Sequence, residues 1–366
     1  MAGEVNYTED CLRLNVWTSS SQGCLDKFPS PVLVWIHGGG FSYGSASYDN
    51  YTGSILAAKT GLVIVSMNYR LGALGFLDAN LPEAPGNVGL MDQALALRWI
   101  RDNAAVFGGD QSSVTLFGHS AGALSVHAHM LSPMSKGLFI RAVMLSGVMY
   151  TVDSYESPSH SLRKAEHLAA LTGCLDGQRN VTLHPTEVIK CLKEKSAGEL
   201  VKATSEADPP NAFAFLPTYH NDFLPKEPKI AVDAGFASHQ SAMGNNVFSY
   251  VYDYSDASSD LPSWIRAPHR AELAFLFGLP QMDIHDVADE DLAMSDALTE
   301  ILASFAKFGC PNHPHKRDWP KYSEDQPVTV VIAPGNYSDI RDYRKRECDY
   351  WNEFLRDDGR LSERLD

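Results

Sequence analysis

Ser113-Val114-Thr115-Leu116-Phe117-Gly118-His119-Ser120-Ala121-Gly122-Ala123-Leu124-Ser125-Val126-His127-Ala128-His129-Met130-Leu131 reads as a short apolar strand, a glycine-flanked turn and a helix. The run Val114 to Gly118 has the continuous apolar character of a strand buried on both faces, and Ala121 to Leu131 is rich in helix formers. Glycine at each end of Gly118-His119-Ser120-Ala121-Gly122 lets the backbone reverse sharply and lifts the Ser120 hydroxyl above the sheet edge, with its back to a helix N-terminus. A β-carbon at position 118 is expected to collide with the neighbouring strand, so Gly118→Val should disable the turn.

Working outward, similar apolar runs rich in Val, Ile and Leu occur at Pro31 to Ile36, Leu62 to Asn68, Ala142 to Ser146, Val247 to Tyr252 and Val328 to Ile332. Between them lie helix-length segments at Gly89 to Phe107, Leu162 to Leu171, Pro185 to Lys195, Met294 to Phe308 and Asp342 to Leu355. The alternation predicts an α/β fold, a mostly parallel sheet covered by helices on both faces. Ala203 to Pro210 and Tyr254 to Ser263 read as loops too short to link domains, so the 366 residues are expected to form one domain.

The net charge of −15 and the absence of a basic stripe argue against a nucleic-acid partner. No apolar run approaches the roughly 18 to 20 residues of a membrane-spanning helix. The six cysteines are dispersed, without CxxC or a Cys/His cluster at zinc spacing, so no metal site is expected. Sequons at Asn6, Asn50, Asn180 and Asn336 point toward a secretory route, yet the N-terminal stretch carries no secretory signal.

A serine nucleophile attacking an acyl carbon needs donors aimed at the developing oxyanion. His37-Gly38-Gly39-Gly40-Phe41 directly follows a predicted strand, and we assign the donors to the amides of Gly39, Gly40 and Ala121. A general base is also required. Of thirteen histidines, His269 in Ala267-Pro268-His269-Arg270-Ala271-Glu272-Leu273 follows a strand and a loop, with His239, His285, His313 and His315 as rivals. No cofactor is implied, and the substrates of such a site are small carboxylic esters.

Several motifs occur in one order: Glu9 to Trp17 (EDCLRLNVW), Val34 to Phe41, Asn68-Tyr69-Arg70, Asn87 to Gln93 (NVGLMDQ), Phe107 to Asp110 (FGGD) and Gly118 to Gly122. Through them the chain resembles the type B carboxylesterase and cholinesterase family of α/β-hydrolases. The resemblance implies a serine esterase acting through an acyl-enzyme, and it places His269 at the catalytic histidine, with Glu272 and Phe275-Leu276-Phe277-Gly278 continuing that motif. It also implies a disulfide between Cys174 and Cys191, worth roughly 3 kcal/mol by loop entropy. His119 stands where cholinesterases usually carry Glu, and the family's choline-binding tryptophan would lie upstream of Cys11. Both departures favour general ester hydrolysis over a cholinesterase.

Two family blocks have no counterpart: strands and a cysteine-closed loop before Asp10, and the strand and loop bearing the triad acid, which would fall near Gly235-Phe236. The expectation is therefore an incomplete family domain with no assigned triad acid. Asp222, Glu227 and Asp233 are the carboxylates available as substitutes. Cys11 and Cys348 lose their family partners and are expected to be unpaired, and the lost strands should leave apolar sheet edges. Weak or absent turnover follows, because losing the acid alone costs on the order of 10⁴-fold. The rivals are a noncatalytic esterase-like binding or adhesion protein, and lipase or thioesterase chemistry on the same machinery.

Overall fold

The computed structural model describes residues 8–19, 29–150, 154–175, 181–206, 215–228, 236–256, 262, 264–282 and 287–357. Asn6, Asn180, Cys24, Asp233 and His285 lie outside the described residues. The chain divides into two compact units, Met1–Val232 and Asp233–Asp366.

The first unit is built on β1 (Leu14–Trp17), β2 (Ser30–Ile36), β3 (Val63–Met67), the small hairpin β4 (Asp78–Leu81) and β5 (Ala84–Pro85), then β6 (Gly109–His119) and β7 (Arg141–Leu145). Its sheet runs β1-β3-β2-β6-β7, with β3, β2, β6 and β7 parallel and β1 antiparallel on the outside. Val32 to Ile36 and Val63 to Met67 are buried at every position, as strands covered on both faces must be. Trp35 packs against Phe117 and Tyr51 with ring centroids 4.8 and 5.3 Å away. Cys174 and Cys191 are disulfide-bonded, and Cys11, Cys310 and Cys348 are free thiols.

The helices of this unit are α1 (Ser54–Thr60), α2 (Gly72–Phe76), α3 (Val88–Asn103), α4 (Ala121–Leu131), α5 (Pro158–Leu171), α6 (Pro185–Lys193) and α7 (Ala197–Glu206). Leu90, Ala94, Leu97 and Ile100 repeat at helical spacing and form the buried stripe of α3. By contrast, α4 is buried from Ala121 to His129, so it is a core helix rather than an amphipathic one. The predicted loop from Ala203 is helical through Glu206, because Leu200, Ala203 and Thr204 line one buried face of α7.

The second unit holds α8 (Phe236–Ala242), β8 (Ser249–Tyr252), α9 (Ala271–Leu276), α10 (Asp289–Phe308), β9 (Val328–Ile332), β10 (Asp339–Arg341) and α11 (Lys345–Asp357). Its sheet runs β10-β9-β8, with β8 parallel to β9 and β10 antiparallel. Asp289, Glu290 and Asp291 occupy the first turn of α10, where the helix dipole favours negative charge, and Gly309 ends it in the left-handed conformation at φ 73°. Met294, Leu298, Ile301 and Leu302 give α10 its buried face. Among the described strands, β1 and β7 are the edges of the first sheet and β10 and β8 those of the second. No described helix is long and apolar enough to cross a membrane.

Candidate active site

Ser120 sits between β6 and α4 with φ 56° and ψ −123°, a conformation that a non-glycine residue holds only when its surroundings enforce it. Its N–H donates to the Leu145 carbonyl at 2.9 Å, and its own carbonyl accepts from Leu124 N–H at 2.9 Å. The turn is thus held by β7 on one side and by the first turn of α4 on the other. The glycines work differently from the sequence expectation. A β-carbon on Gly118 would lie 2.4 Å from the Gly122 carbonyl oxygen, so it collides with α4 rather than with a neighbouring strand. The strand contact belongs to Gly122, whose β-carbon would lie 2.0 Å from the Ile36 carbonyl oxygen.

In the β2–β6 register Ile36 is level with Gly118, which brings the loop after β2 beside the serine turn at the C-terminal edge of the sheet. A β-carbon on Gly38 would stand 3.2 Å from Ser120 Cβ. Gly39 and Gly40 continue this loop with φ 117° and 58°. Among the described residues, the amide hydrogens of Gly39, Gly40 and Ala121 have no hydrogen-bond acceptor. Strand pairing thus brings the predicted donors and the serine together.

Behind the loop, the sequence motifs acquire physical roles that their spacing alone did not disclose. The His37 ring stacks on Tyr69 at 4.5 Å, and the Tyr69 hydroxyl donates to the His37 carbonyl at 2.8 Å. Burial pushes His37 down to about 4, so it is neutral at pH 7. Arg70 meets Asp92 through paired contacts of 2.7 and 2.8 Å, and Asp92 also accepts the Arg70 backbone N–H at 3.1 Å. Asn68 Oδ1 accepts Ala46 N–H at 2.8 Å.

A buried polar chain then runs along α4. Ser135 Oγ lies 2.7 Å from His129 Nδ1, and His129 Nε2 lies 3.0 Å from Gln93 Oε1. Gln93 Nε2 donates to Ser125 Oγ at 3.1 Å, and Ser125 Oγ donates to the Ala121 carbonyl at 2.9 Å. The Gln93 carbonyl requires His129 to donate from Nε2, so the Ser135 hydroxyl donates to Nδ1 and all four bonds point the same way. Burial lowers His129 to about 3, in keeping with that neutral form. Gln93 is legible as the end of a family motif and Ser125 as a residue of a predicted helix, with no signal that they meet.

His269 belongs to the second unit. It is exposed, two residues before α9, and Arg270 at φ 81° turns the chain into that helix. Partial burial and the neighbouring Arg270 lower its pKa from the usual histidine value. Glu272, in the first turn of α9, is buried and has its carboxyl pKa raised by desolvation. Of the rival histidines, His313 stacks on Tyr337 at 5.0 Å and is buried, while His239 is half-buried on α8. Among the candidate acids, Asp222 is exposed in a turn, and Glu227 Oε1 accepts the Tyr155 hydroxyl at 2.9 Å.

A parallel sheet covered by helices, with a strained serine at a strand-to-helix turn beside a glycine loop, defines an α/β-hydrolase. The sequence profile of the carboxylesterase family matches residues 1–239 and 234–351, and the chain belongs to that family. Relatives include acetylcholinesterase of Bungarus fasciatus, 29% identical over 95% of this chain and 72% of its own length. Acetylcholinesterase-1 of Trittame loki is 28% identical over 95% of this chain and 80% of its own length. Acetylcholinesterase of Gallus gallus is 48% identical over 229 residues, 62% of this chain but only 29% of the relative. The family match comes in two segments that meet at residues 234–239, where the sequence placed the missing block. The alignment with the Bungarus protein runs over 448 positions, more than the 366 residues here, so that relative carries residues without a counterpart in this chain.

Proposed function

We propose that the chain is a serine carboxylic-ester hydrolase by descent, with Ser120 as nucleophile, His269 as general base and then acid, and the amides of Gly39, Gly40 and Ala121 as oxyanion donors. The observation that carries this reading is the strained Ser120 beside three amide hydrogens that have no acceptor among the described residues. Ser120 Oγ would add to the ester carbonyl as its proton passes to His269. The oxyanion would form against the three amides, and the alcohol would leave with that proton. Water then repeats the sequence on the acyl-enzyme and releases the acid.

His119 in place of the cholinesterases' Glu supports general esters as substrates rather than choline esters. The chain is read as one incomplete carboxylesterase domain without an assigned triad acid. Turnover is accordingly expected on the order of 10⁴-fold below that of a relative with all three triad groups. The test is hydrolysis of a short-chain nitrophenyl ester together with labelling by a fluorophosphonate. Labelling that is lost in Ser120→Ala, accompanied by slow turnover, is the expected result. A folded chain that resists labelling refutes the nucleophile and favours a noncatalytic binding protein; turnover within about tenfold of the relative refutes the crippled triad.

A further inference from the structure

The C-terminal end of α4 borders a groove of about 610 Å³, bounded by the turn that follows the helix and by Leu224 to Lys226. This is within the size range of small-molecule sites. Leu131, Phe139 and Leu224 give it an apolar wall, and Lys136 and Lys226 stand among its lining residues. Both lysines are exposed, and neither side-chain ammonium has an ion-pair or hydrogen-bond partner among the described residues. Among the described residues, no Asp or Glu lines the groove, although the chain carries a net charge of −15. Glu227, adjacent to Lys226 in sequence, accepts the Tyr155 hydroxyl instead.

Two ammonium groups without a carboxylate partner among the described residues, beside hydrocarbon, make a site for an amphiphilic anion. We propose that the groove binds an unbranched monocarboxylate, its carboxylate held by Lys136 and Lys226 and its tail lying along Leu131, Phe139 and Leu224. The significance of such a ligand rests on the proposed function, since this acid is the class of product an ester hydrolase releases; the binding itself does not. The groove also includes Ser135. That residue heads the hydrogen-bonded chain through His129, Gln93 and Ser125 to the Ala121 carbonyl. A ligand that shifts the turn around Ser135 acts on the first link of a buried, cooperative chain that ends at the carbonyl of Ala121, the residue whose own amide is a proposed oxyanion donor. The groove is thus positioned for feedback from product to serine turn.

The test is calorimetric titration of the full chain and of its Ser120→Ala variant with octanoate, octanol, acetate and inorganic phosphate. Octanoate is expected to bind both proteins, and each of the other three to bind at least about tenfold more weakly. The exposed-site double variant Lys136→Glu/Lys226→Glu should lose at least about tenfold in octanoate affinity, and Lys136→Arg/Lys226→Arg should keep it. Hydrogen exchange supplies the second measurement: octanoate should slow exchange in the peptide covering Ala121 to Leu131 by about twofold or more, and leave the charge-reversed variant unchanged. Absence of binding, equal binding by the charge-reversed variant, or phosphate binding as tightly as octanoate overturns the site. Binding without altered exchange overturns the link to the serine turn. Because none of these measurements needs turnover, they decide the proposal even if the esterase assay fails.

Discussion

The two units carry their candidate groups in contrasting ways. In the first, Ser120, Gly39, Gly40 and Ala121 are fixed by neighbouring hydrogen-bonded strands, by backbone contacts that admit no β-carbon at Gly118 or Gly122, and by buried polar partners behind them. In the second, His269 stands exposed before a helix of six residues, α9. A site assembled from adjacent strands and one turn keeps its form through local bonding. A histidine on a loop depends on whatever orients its ring, and here no residue has been assigned as its triad acid. On the proposed roles, loss of a family block would fall unevenly on the chemistry: Ser120 and the amides of Gly39, Gly40 and Ala121 retain their supports, while His269 has no assigned acid partner.

Acid should sharpen this contrast most. Burial lowers His37 and His127 to about 4 and His129 to about 3. Each then binds its proton more readily when unfolded, so it contributes nothing to the pH dependence above about pH 6.5 and destabilises the fold as pH falls toward the folded value. At pH 5 the loss is about 2 kcal/mol for each histidine. Guanidinium unfolding followed by the fluorescence of buried Trp35 should show a steep fall in midpoint between pH 7 and pH 5, and an unchanged midpoint would contradict neutral buried rings.

Next in size is Gly118→Val, expected to cost about 4 kcal/mol and to eliminate phosphonate labelling, because the new side chain meets the backbone of α4. A variant of native stability that still labels would remove the argument for a locally enforced turn. Cys174→Ser should cost about 3 kcal/mol by opening the loop to Cys191, readable as a lower thermal midpoint that reducing agent reproduces in the parent chain. The smallest stability effect belongs to His269→Ala: its exposure predicts a change within about 0.5 kcal/mol, while any residual ester turnover disappears. A large destabilisation would mean that this loop is fixed more firmly than its surroundings indicate.

Much of this arrangement is legible in the residues alone. The predicted strands at Pro31 to Ile36 and Val328 to Ile332 agree with β2 and β9 to within one residue, because continuous β-branched runs in a buried sheet leave little freedom of assignment. The helix Ala121 to Leu131 agrees at both ends. Short edge elements such as β1 and β10 escape such a reading, since a few half-buried or exposed residues carry no distinctive period. Their pairing is decided by the partner strand. The same holds for the supports of the site: Tyr69 on the His37 carbonyl and Gln93 between His129 and Ser125 are contacts between distant segments. Sequence can nominate Asn68-Tyr69-Arg70 and Asn87 to Gln93 as family motifs, but only packing discloses that they brace the glycine loop and the serine turn. The neighbour that a β-carbon at Gly118 meets is hidden from the sequence for the same reason.

Among the described strands, the two sheets each finish in an edge strand, β7 in one and β8 in the other. Neither strand contains a proline, and Arg141 at the start of β7 is the one charge in Arg141–Leu145 and Ser249–Tyr252 to discourage a foreign strand from annealing there. In a living cell, such borders would put the chain under continuous surveillance by holdases and proteases. Its abundance would then depend on that triage as much as on its rate of synthesis.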